Sequence, residues 1–150
     1  MANVTQTAYG QPRPFHRFRA AAEAGDVEGM LAFLDPEVRL FSPIAFRPFV
    51  GHEQVRELFS HLLEVFEDFH YVDELAGVDE LAGPARPAGP GSHALIFRTH
   101  IGETQIEGLD HVRFGPDGLV TEFTVMVRPL SAAITLAQEM APRVGHIVKG

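Results

Sequence analysis

The 150-residue sequence predicts an α+β domain in which helices cover one face of a curved, mostly antiparallel sheet, and three observations carry that expectation. Apolar residues recur at helical spacing in the first third of the chain and again from Gly51 to Phe66. Alternating, strand-like segments separated by glycine turns fill His93 to Val127. No internal repeat or long linker interrupts the chain, and 45% hydrophobic residues suffice for one core. A single domain over 1–150, ordered over about 12–142, is therefore expected.

Residues 1–10 are small and polar without periodicity, so they read as a loose tail. Helix begins near Pro12 to Pro14. Phe15, Phe18, Arg19 and Ala22 lie at helical spacing, and Gly25 ends the run as a C-cap glycine does. Asp26 can cap a second short helix, Val27 to Leu34, with Met30, Leu31 and Leu34 buried. Asp35-Pro36 reads as a turn, followed by a short strand in which Val38, Leu40 and Ser42 alternate with Glu37, Arg39 and Phe41 until Pro43 closes it. A second extended piece covers Phe46 to Val50.

Gly51 to Phe66 is the clearest helix. Val55, Leu58, Phe59, Leu62, Leu63 and Phe66 share one stripe while Glu53, Arg56, Glu57, Glu64 and Glu67 lie outside it, so the stripe must rest on the sheet. Phe69 to Val78 reads as a strand, and Gly83 to Gly91 (GPARPAGPG) as a surface loop that cannot pair into a ladder. His93–Ile101 and Thr104–Phe114 form a hairpin about Gly102-Glu103, and Leu119 to Val127 adds the neighbouring strand. After Pro129, the residues Leu130, Ala133, Ile134, Ala137 and Met140 space out as a last amphipathic helix, which Pro142 is expected to limit.

One residue breaks the pattern. Strand alternation puts Ile106, Gly108, Asp110, Val112 and Phe114 on one face and Glu107, Leu109, His111 and Arg113 on the other, so Asp110 sits on the apolar side. An unpaired buried charge costs several kcal/mol or more, so this carboxyl must be paired, protonated or functional. The hairpin register sets Asp110 near Leu95 and Val112 near His93, which makes His93 and Asp110 diagonal neighbours. An Asp that holds the tautomer of a His makes a general base near pH 7. Against that stands the plainer reading of a solvated His at a strand end.

Composition narrows the partners. A net charge of −8, with eleven Arg and one Lys scattered, argues against nucleic acid. No run of about 18 apolar residues exists, so no membrane span is expected, and MANVTQTAYGQPRPF lacks the charged-then-apolar pattern of a signal peptide. A cysteine-free, soluble, cytoplasmic protein is the expectation. His52, His61 and His70 are nine residues apart and no HxH or HExxH spacing occurs, so no metal site is expected. The glycine pairs sit in turns and open no nucleotide-binding helix, and no cofactor is expected.

The runs FRAAAEAGDVEGMLAFLDPEVRLFSP, GHEQVRELF and GLDHVRF, with VTEFTV beyond the turn, resemble the NTF2-like superfamily, in its SnoaL-like and ketosteroid-isomerase-like branch. The likeness covers Phe18 to about Val127. It implies a cone, a strongly curved sheet wrapped on the N-terminal and central helices, here with an extra C-terminal helix, and an apolar cavity open at one end. The isomerases use a Tyr on the first helix, an Asp base on the first strand and a protonated Asp on the fifth. Phe18, Ser42 and Asp110 occupy those positions here. Phe18 cannot donate and Ser42 is a poor base, so steroid isomerisation by that route is not expected.

The expected cavity lining is Phe15, Phe18, Ser42, Phe59, Leu95, Phe97, Val112, Phe123 and Val125, with Asp110 and His93 as the groups able to move protons. Such a lining suits a small hydrophobic ligand. Two functions fit: cofactor-free acid–base catalysis through Asp110, as in the cyclases and isomerases the resemblance implies, or a non-catalytic ligand-binding or interaction domain. The opposite sheet face carries Ile96, Leu109, His111, Thr124 and Met126 among charges and is expected to form a homodimer contact.

Overall fold

The computed structural model describes residues 14–77 and 91–147. Four helices and six strands follow in the order α1 (Pro14–Ala24), α2 (Val27–Leu31), β1 (Leu34–Phe41), β2 (Phe49–Val50), α3 (Gly51–Val65), β3 (Glu67–Ala76), β4 (Ser92–Ile101), β5 (Thr104–Phe114), β6 (Val120–Arg128) and α4 (Leu130–Val144) among the described residues. The strands form one curved sheet in the order β2-β1-β6-β5-β4-β3. Every neighbouring pair is antiparallel except β1 and β6, which run parallel. The expected α+β architecture, with its C-terminal helix, is what the chain adopts.

The β4–β5 hairpin turns at Gly102, whose φ of 58° is the left-handed conformation that glycine takes without strain. Its register pairs Leu95 with Asp110 and His93 with Val112, as strand alternation predicts. The apolar stripe of α3 lies on the concave face, with Val55, Leu58, Phe59 and Val65 buried. The core is continuous from α1 across the sheet to α4.

Four expectations change at element ends. Leu34 belongs to β1 and not to the second helix, because Val120 N–H donates to the Phe33 carbonyl and draws the chain into the sheet as soon as α2 ends. Asp35-Pro36 lies inside β1, where the ladder to β6 shifts register between Leu34 and Arg39. A proline has no N–H to give that ladder, and Asp35 Oδ1 takes up the Glu37 N–H instead. Only Phe49 and Val50 of the second extended piece pair. Pro142 does not stop α4, which runs to Val144. In the last turn a proline forfeits one hydrogen bond, and burial of Val144 holds the turn in place. The Gly83–Gly91 loop lies outside the described residues except for its last glycine.

Candidate functional site

Beneath α3, and closed on one side by α4, the concave face encloses a cavity of about 200 Å³. Leu58, Phe59, Leu62, Leu63 and Phe66 descend from α3, Phe69 and Phe97 rise from β3 and β4, Phe123 and Val125 from β6, and Leu136, Met140 and Val144 approach from α4. Among the described residues that line it, only Ser42, Tyr71 and Asp110 carry polar side chains.

Asp110 is 5% exposed and Tyr71 4%. The Tyr71 hydroxyl donates to Asp110 Oδ2 at 2.9 Å. Among the described residues nothing donates to the other oxygen, Oδ1. Burial pushes the Asp110 carboxyl up to about 7, against the pull of the Tyr71 hydrogen bond, which favours the anion. Burial also drives the Tyr71 phenol well above its ordinary range, reinforced by the neighbouring carboxyl. At neutral pH, therefore, Tyr71 is a fixed donor and Asp110 is poised between acid and base.

Two local features hold this pair. The Tyr71 carbonyl accepts from Arg19 Nη2 at 3.1 Å, which ties the strand to α1. Gly108, two residues before Asp110 on the same face, lies opposite Phe97, whose ring passes so close that an added Cβ would sit 2.0 Å from Cζ. Glycine there lets the aromatic ring cover the strand beside the acid.

Of the residues expected at the site, Asp110, Ser42, Phe59, Phe97, Phe123 and Val125 line the cavity. Phe15, Phe18, Leu95, Val112 and His93 do not. The two phenylalanines stack on each other at 4.7 Å, Phe18 meets Phe123 at 5.7 Å, and Phe15 meets Phe114 at 5.8 Å, so α1 fills its part of the concave face with rings. Leu95 and Val112 are fully buried in that packing.

The expected His93–Asp110 dyad does not form. The His93 ring packs against Phe15 and Phe114, its Nδ1 bonds the Ser92 carbonyl at 3.0 Å, and its Nε2 faces Glu74 Oε1 at 3.7 Å. Asp110 pairs across the sheet with Tyr71 instead. Sequence reasoning missed Tyr71 and the α4 wall. Both leave a signal: Phe69 and Tyr71 alternate within a strand, and the α4 stripe of Leu136 and Met140 continues to Val144 beyond the proline.

A curved open sheet on helices, with an apolar cavity that reaches a buried acid, is the architecture of an α+β cone. The model of the SnoaL-like domain matches residues 15–123. The chain belongs to that family, within the NTF2-like superfamily. A steroid delta-isomerase from Pseudomonas aeruginosa is 30% identical, with 97% of this chain and 94% of that one covered and a TM-score of 0.70. A bacterial protein of cystatin-like fold from Silicibacter pomeroyi is 24% identical over 91% and 88% of the two chains, with a TM-score of 0.76. A SnoaL-like protein from Burkholderia thailandensis is 21% identical over 86% and 98%, at 0.59. No curated protein matches the sequence.

Proposed function

We propose that the cavity binds a small, largely apolar molecule and that Asp110, pinned by Tyr71, exchanges a proton with it without a cofactor, in isomerase- or cyclase-like chemistry. The observation that carries this reading is a buried carboxyl with one oxygen held at 2.9 Å by a tyrosine and the other without a donor, on the wall of an otherwise apolar cavity. A group that titrates near 7 gives both its forms at working pH, the condition for general acid–base catalysis. The likeness to the Pseudomonas aeruginosa isomerase supports the reaction class. Phe18 is sealed in the core and offers no hydroxyl, so the steroid reaction itself is not carried over.

The test is Asp110→Asn, assayed on whichever substrate a screen of small cyclic metabolites identifies. A loss of about 10²–10⁴ in kcat with an unchanged circular dichroism spectrum is the expected result. Unchanged turnover removes the catalytic role of Asp110, whereas ligand binding without turnover by the wild type leaves a ligand-binding domain, a second reading that rests on the apolar Phe18 and the weakly basic Ser42.

We also propose that two copies associate through the outer sheet face. Ile96, Leu109 and the exposed Met126 form a strip there, bracketed by the ion pairs of Glu122 with Arg39 and Arg113 and of Glu107 with Arg98 and Arg128. Met126→Lys should convert a dimer to a monomer in sedimentation velocity. A wild-type monomer at micromolar concentration ends this idea.

A further inference from the structure

We propose, resting on the reading of the cavity above, that its ligand is a protonated amine, an alkylammonium carried on an aromatic or alicyclic ring, whose charge pairs with Oδ1 of Asp110 and whose ring lies among Phe66, Phe69, Phe97 and Tyr71.

The donors and charges around Asp110 favour a cation. Tyr71 spends its O–H on Oδ2, and Oδ1 has no donor among the described residues although Asp110 is nearly sealed. Among the described residues no Lys, Arg or His lines the cavity. A carboxylate in such a place lacks a counter-ion, and a ligand that brings one offsets the cost of burying the charge through a weakly screened attraction. A carbonyl ligand would gain a single hydrogen bond, and only from the acid form.

The apolar side points the same way. The Phe69 ring lies 5.1 Å from both Tyr71 and Phe97, and Phe66 stacks on Phe69 at 5.8 Å, so four rings cluster beside the acid. Aromatic faces attract cations, and a ring cluster with one carboxylate is the chemistry that recognises alkylammonium groups. An excess of 20 acidic over 12 basic residues draws cations toward the protein. A cavity of about 200 Å³ suits one or two rings with a short arm, given that about 150 Å³ accepts benzene.

Proton linkage separates the two ligand types. An ammonium holds Asp110 as the anion, so affinity climbs as pH rises through the titration of that group, until the amine loses its own proton. A carbonyl needs the acid and shows the opposite slope. The groups around Asp110 leave this signal clean. Tyr71 faces it from β3, Leu95 and Val125 flank it on β4 and β6, and α3 and α4 bring only apolar side chains to the cavity. Arg19 of α1 reaches the Tyr71 carbonyl, and its partner Glu23 lies on α1.

The experiment is calorimetric titration of the full chain with 2-(aminomethyl)naphthalene and with 2-acetylnaphthalene, from pH 6 to pH 8. The amine should bind more tightly at pH 8, gain about tenfold in affinity across that range and release a proton on binding. Asp110→Asn, checked for fold by circular dichroism, should abolish the slope and the preference. The wild-type comparison decides the matter even where that variant does not fold. Tighter binding of the ketone, or an amine affinity that is flat or falls with pH, overturns the amine while leaving the cavity reading in place. Binding of neither compound overturns both.

Discussion

The concave face of one sheet does two different things along its length. Under α1, Phe15, Phe18, Leu95 and Val112 close into a solid core, whereas under α3 and α4 the same strands border a cavity of about 200 Å³. Both halves are apolar, and both are built from alternating inward residues of β4, β5 and β6. They differ in what covers them. α1 packs two mutually stacked rings against the rings of the strands, while α3 and α4 present their stripes from either side and leave the space between them unfilled. Strand alternation thus determines which side chains face inward, and only the third dimension determines whether they meet each other or a void.

The sharpest way to break this comparison is to remove one ring from each half. Phe18→Ala should cost about 3–5 kcal/mol in urea denaturation, because its neighbours cannot collapse into the gap. Phe66→Ala, in a side chain that is only half-buried and already borders empty space, should cost less than half of that. Equal losses would mean that the two halves are packed alike.

Asp110 gives the next largest effect, and its sign runs against intuition. Its folded carboxyl titrates near 7, above the unfolded value of about 3.9, so the folded state binds more protons than the unfolded state between those limits. Stability is therefore lost as pH rises through that window, by up to roughly 4 kcal/mol. Asp110→Asn, which still accepts from Tyr71, should match the wild type near pH 4 and exceed it at pH 8. Thermal unfolding at both values checks this, and a wild type that is the more stable at pH 8 would show that the cavity solvates the anion.

The sheet, its hairpin register and the inward placement of Asp110 were legible because period-two alternation and glycine turns are local signals. The partner of Asp110 was not. His93 is a diagonal neighbour on the adjacent strand, but its ring is captured by Phe15 and Phe114, while Tyr71 reaches Asp110 from β3, one strand beyond. That contact depends on the curvature of the sheet and the slimness of Gly108, neither of which alternation encodes. The α4 wall was hidden for another reason. The expected stripe placed Leu130 and Ile134 inward, yet both are exposed and Ala132, Leu136 and Val144 are buried in their stead. Pro142 reads as a stop signal, although burial of Val144 outweighs the one hydrogen bond it removes.

Tyr71 joins the two halves, since its carbonyl is tied to α1 through Arg19 and its hydroxyl serves the cavity acid. Tyr71→Phe keeps the ring and removes only the donor. The hydrogen bond pulls the Asp110 carboxyl down, so its loss should move that group further above about 7, as read by carbon-13 NMR titration of the carboxyl. Stability should follow with a definite pH dependence. At pH 5, where Asp110 is neutral, the variant gives up one ordinary hydrogen bond, about 1 kcal/mol. At pH 8 the carboxylate loses its donor as well as water, and the penalty should grow to about 2–3 kcal/mol. The two cavity variants then diverge with rising pH, Asp110→Asn gaining on the wild type while Tyr71→Phe falls behind. A penalty for Tyr71→Phe that is the same at both pH values would mean that the hydroxyl does not bear on the charge of Asp110, and that the tyrosine belongs with the sealed rings of the other half.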